Sequence, residues 1–117
     1  MAEVRAWDRV VERFRDLERY PRLRQPIAAM LALVAQLRAD PRLGDVEPDV
    51  SLASLILKLP ESAGQVEVGW VEDEPQVFVV LFVDPPLEFR DTRKVSETQV
   101  LSTVVDYVNR LRSEKPA

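Results

Sequence analysis

Apolar residues recur at spacings of three and four near both ends of the chain and fall into alternating or continuous runs between them. The pattern predicts helices flanking a group of strands. Val4, Trp7, Val10, Val11, Phe14 and Leu17 form the first helical stripe, over about 3–19. On its polar side Arg5, Arg9 and Arg13 each precede an acid (Asp8, Glu12, Asp16) by three residues. Such pairs contribute about 0.2–0.5 kcal/mol each. Tyr20-Pro21 ends the element, because the residue before proline avoids helical backbone. Pro26 suits the first turn of a second helix, whose stripe is Ile27, Met30, Leu31, Val34 and Leu37. Ala28, Ala29, Ala32 and Ala35 add helix propensity, and Asp40-Pro41 stops the run. Two helices with so short a joint read as an αα-hairpin.

From about residue 50 the period changes. Ser51 to Leu59 is a short apolar run, read as one strand because Pro48 bounds it on one side and Pro60 and Gly64 on the other. Val66, Val68 and Trp70 alternate with Glu67, Gly69 and Val71, as in a half-buried strand. Glu72-Asp73-Glu74-Pro75 reads as a charged hairpin connection. The segment Gln76 to Asp84 is apolar on both faces, which places it mid-sheet with cover expected on each side. After Pro85-Pro86, a charged edge strand is expected near 87–94. Ser96 and Gln99 match a capping box, and Val100, Leu101, Val104, Val105, Val108 and Leu111 stripe a last helix over about 97–112. So many valines make a poor isolated helix; this one needs a sheet behind it. Residues 113–117 read as a frayed tail.

The expected architecture is a single α+β domain over 1–117, in the order α-α-β-β-β-β-α. An antiparallel meander of three to four strands is packed by two N-terminal helices and one C-terminal helix.

Composition removes most chemistry. The chain has no cysteine and no histidine. It therefore cannot build a disulfide, a cysteine nucleophile, a Ser-His-Asp triad or a zinc site of the usual nitrogen and sulfur kind. The N-terminal residues are charged rather than a leader-like apolar run, and no apolar stretch is long enough to span a bilayer, so the expectation is a cytoplasmic protein. The net charge of −4 is unevenly spread. Residues 1–45 carry nine arginines against seven acids, and residues 46–117 carry seven bases against thirteen acids.

Three clusters are candidate sites. Arg13, Arg15, Arg19, Arg22 and Arg24 crowd the joint of the first two helices and could meet a partner or phosphate. Their interleaving with Asp16 and Glu18, in an acidic chain, argues for a solvated face and against nucleic acid. Glu72, Asp73 and Glu74 could meet a basic partner, yet they lack the alternating ligands and the glycine of a calcium loop. Asp84, Asp91 and Glu97 are the remaining carboxylates that could do acid–base work, and each has an adequate structural reason. Trp7 and Trp70 read as core. No phosphate-cradling, redox or metalloprotease motif is present.

The helix–sheet–helix layout and the acidity are similar to those of type III secretion chaperones and of antitoxin or immunity proteins. The likeness is one of layout, carries no motif, and assigns no site. The expectation is a non-enzymatic protein–protein interaction module (a small adaptor, chaperone-like or antitoxin-like), with no catalytic, cofactor or metal residues. Its partner would be another protein or a second copy, through an edge strand or the first helix. The alternative is a small-molecule-binding regulatory domain with a pocket between helices and sheet, lined by Trp7, Phe14, Trp70 and Phe78.

Overall fold

Helix α1 (Ala2–Leu17) and helix α2 (Arg24–Ala39) form where the three-and-four spacing runs, separated by a 3-10 turn over Pro21–Leu23. The computed structural model describes residues 2–71, 74–84 and 88–113. Trp7, Val10 and Phe14 of α1 and Ile27, Met30, Leu33, Val34 and Leu37 of α2 are buried together. The i+3 pairing expected along α1 does not form between Arg9 and Glu12 or between Arg13 and Asp16 among the described residues. Asp8 instead accepts from Arg38 of α2 at 3.0 Å, tying the two helices together. A second 3-10 turn (Pro41–Leu43) follows α2. It is capped by Asp40, whose carboxylate accepts from the Arg42 backbone N–H at 2.9 Å.

Five strands follow, where three to four were expected: β1 (Glu47–Ser51), β2 (Ser54–Lys58), β3 (Gln65–Val71), β4 (Glu74–Asp84) and β5 (Glu88–Ser96). They form one antiparallel meander in the order β1-β2-β3-β4-β5, as the short connections imply. The extra strand arises within the run 51–59, which is not one strand but a hairpin. Ser51 pairs with Ser54, and the turn is Leu52-Ala53, with Leu52 at φ 57°. Pro48 does not bound a strand; it sits inside β1 with its ring buried. The edge position tolerates its missing N–H. Glu74 and Pro75, expected in a connection, open β4 instead. Glu72, Asp73 and Pro85-Pro86 lie outside the described residues.

Helix α3 (Val100–Ser113) begins three residues later than expected. Residues 97–99 form a turn in which Gln99 Oε1 accepts from the Ser96 backbone N–H at 3.4 Å, the reach-back half of a capping box. The Ser96 hydroxyl meets Thr98 Oγ1 at 3.0 Å rather than capping a helix amide. Of the tail expected to fray over 113–117, Ser113 instead ends α3, its hydroxyl donating to the Arg110 carbonyl at 3.0 Å, and residues 114–117 lie outside the described residues.

All three helices sit on one side of the sheet. Their buried residues join one cluster with Val50, Leu55, Leu57, Val66, Val68, Phe78, Val80, Phe82 and Val95, which share one face by register. Gly64 lets α3 approach closely. A Cβ there would lie 3.0 Å from Leu111 Cδ2 and 3.1 Å from the Val83 carbonyl oxygen. Arg112 closes the helix end by donating to Asp45 and to the Arg42 carbonyl.

Candidate functional site

The side of the sheet away from the helices is the surface that stands out. Along β4 side chains alternate between faces. Phe78, Val80 and Phe82 point into the core, while Val77, Val79 and Leu81 point the other way and are only half-buried; Val83, next on that face, is buried. Ile56 of β2, which pairs with Glu67, shares that face and is also half-buried. Phe89, which pairs with Val83, is 62% exposed. None of the three helices covers this face. The sequence leaves open whether one chain covers both faces of Gln76 to Asp84; the helices lie on one of them. In α1, Trp7, Val10 and Phe14 are buried in the core, with Val11 and Leu17 half-buried against it.

Polar residues flank the exposed spine in a definite layout. Glu67 of β3 lies beside Leu81, and Lys94 of β5 lies beside Val79. Gly69 is the other neighbour of Val79. Gln65 Nε2 donates to Glu67 at 2.9 Å, which orients that carboxylate.

On the helix side β5 closes the core with charge. Arg110 of α3 donates to Asp91 at 2.8 Å, and its guanidinium lies 4.8 Å from the Phe82 ring centroid and 5.2 Å from that of Tyr107. Arg90 stacks on Phe82 at 5.0 Å and pairs with Asp84 at 3.4 Å, and Arg93 lies 5.8 Å over Tyr107. The Arg110 hydrogen bond holds the Asp91 carboxyl below its usual range. Burial first, then the Asp91 charge, raises the Tyr107 hydroxyl, which has no well-formed hydrogen bond among the described residues. These guanidiniums are engaged with rings and carboxylates, so the arrangement works as a charged lid over an aromatic pair.

The other candidates disperse. Arg13, Arg15, Arg19, Arg22 and Arg24 are all exposed. Arg19 stacks on its neighbour Tyr20 at 5.2 Å, and Arg24 donates to the Glu18 carbonyl at 3.2 Å. Of Glu72, Asp73 and Glu74, the first two lie outside the described residues, and Glu74 is exposed at the start of β4. Asp84, Asp91 and Glu97 are not brought together. Asp84 and Asp91 each hold an arginine, and Glu97 lies six residues beyond Asp91, about 20 Å along an extended strand. Trp7 is buried and Trp70 half-buried against the core. A dimple of about 60 Å³ touches Phe78 from the α2 side. A cleft of about 310 Å³ lies elsewhere, lined by Asp45, Leu59, Pro60, Glu61 and Arg112.

Sequence reasoning singled out neither Glu67 nor Lys94, nor the arginines on Phe82 and Tyr107. Their grouping depends on strand register, which only the alternation around β4 hints at. No family model matches this chain, and no curated protein or solved structure is significantly similar to it.

Proposed function

We propose that this protein is a non-enzymatic interaction module that works through the uncovered face of its sheet. One observation carries the reading: Val77, Val79 and Leu81 alternate with sealed core residues on the same strand, yet no helix lies over them. A half-exposed apolar row of this kind, rimmed by polar residues and ending near the exposed Phe89, fits an interaction site. The edges of the sheet suit the reading less well. Pro48 removes a donor from β1, and Arg90, Arg93 and Lys94 crowd β5 with charge. The absence of histidine and cysteine, with Asp84 and Asp91 both ion-paired, supports a role without chemistry.

The test is affinity capture from native extract with the wild-type chain and with Leu81→Arg, whose fold is checked by its melting curve. The reading expects the wild type to retain proteins that Leu81→Arg loses. Identical retention by both would contradict it.

A further inference from the structure

We propose that the uncovered face docks onto a second copy of the same chain, sheet against sheet, about a twofold axis running along β4. The inference rests on the reading of that face as an interaction surface and adds its occupant. The layout is self-complementary. The apolar spine Val77, Val79 and Leu81 runs down the middle, with the acid Glu67 on the β3 side and the base Lys94 on the β5 side. A twofold axis along β4 lays one spine over the other and places β3 of each copy against β5 of its partner. Glu67 then meets the second copy's Lys94, and the contact occurs twice, as an isologous interface requires.

The two charges sit one side-chain repeat apart along the strands, about 7 Å, within the reach of a lysine stem and the roughly 30° angle of aligned sheets. Gly69, in line with Lys94 across β4, presents no side chain and leaves room for that stem. An axis across the strands would instead lay β3 over β3 and β5 over β5, bringing Glu67 toward Glu67 and Lys94 toward Lys94, so the charges favour the first arrangement.

The area bounds the strength. Three strands at about 4.8 Å and eight residues at about 3.3 Å give roughly 380 Å² of face per copy before side-chain relief. That is the small class of interface, typical of weak and transient association. The dimer is therefore concentration-dependent and in fast exchange.

Sedimentation equilibrium at physiological salt, from micromolar to millimolar chain, tests this. The expected mass rises from 13.4 kDa toward twice that value. Leu81→Arg should stay monomeric throughout. Glu67→Lys and Lys94→Glu should each weaken association about tenfold, because like charges then face each other twice. The double variant carrying both changes should recover the wild-type curve. A wild type that remains monomeric at millimolar concentration overturns the proposal, and so does a dimer indifferent to Leu81→Arg or a double variant that fails to recover. If the wild type is monomeric but loses a captured protein on Leu81→Arg, self-docking fails while the interaction reading stands. If capture is also unchanged, both fail.

Discussion

The two faces of β4 differ in what surrounds them far more than in what they are made of. Phe78, Val80 and Phe82 on one side and Val77, Val79 and Leu81 on the other are comparably apolar. The first set is at most 2% exposed beneath α2 and α3, and the second is half-buried with no helix over it. Strand composition therefore reports that a segment lies in mid-sheet without reporting what covers it. The difference between apolar content and cover is where a binding surface is found.

That comparison can be broken most forcefully at Phe82. Its ring is buried against Tyr107 at 6.1 Å and roofed by two guanidiniums. Phe82→Ala should cost about 3–5 kcal/mol in chemical denaturation. An unchanged midpoint would remove the packed face from the account. At the same end, Gly64→Ala should cost about 1–3 kcal/mol, because the new methyl meets backbone as well as the Leu111 side chain. Leu81→Ala, one residue from Phe82 but on the open side, should cost only about 1 kcal/mol at concentrations too low for association. A loss equal to that of Phe82→Ala would show that the open face is covered after all.

Away from both faces, Leu52→Gly should raise stability by about 0.5–1 kcal/mol. Leu52 sits in left-handed backbone with 91% of its surface exposed, so little contact is lost when the strain is relieved. The smallest effect is expected at Asp40. The Arg42 side chain first, and its backbone N–H second, lower its pKa to about 2. A depressed carboxylate stabilises the fold above its unfolded pKa of about 3.9 and loses that contribution as the pH falls through the folded value. Asp40 should titrate near 2 by NMR, and Asp40→Asn should remove the corresponding acid limb from the stability profile. Titration at the ordinary aspartate value would remove the cap.

Much of the fold was legible because local periodicity and tertiary structure agree here. The stripes of all three helices became buried faces, and the expected meander formed. What escaped had specific causes. The hairpin between β1 and β2 turns on Leu52-Ala53, which lacks the glycine, asparagine or aspartate that normally announces such a turn. Pro48 looked like a boundary, yet an edge strand can hold it. The open face escaped because nothing in a strand's alternation says which side the helices will choose. Glu67 and Lys94 lie 27 positions apart in the chain, and each reads as an ordinary solvated charge. Only the register on either side of β4 makes them flank one spine. The arginines of the first two helices illustrate the converse: five charges close in sequence are dispersed over exposed positions, two of them held by near neighbours.

The alternation along β4 also supplies the most direct test of the claim that the open face is the one that docks. Methyl resonances of Val77, Val79 and Leu81 can be followed beside those of Val66, Val68 and Val80 as the protein is concentrated from micromolar to millimolar. The account predicts that the first set shifts along a binding curve while the second stays in place. Shifts confined to the second set, shifts shared equally by both, or no shift in either would contradict it.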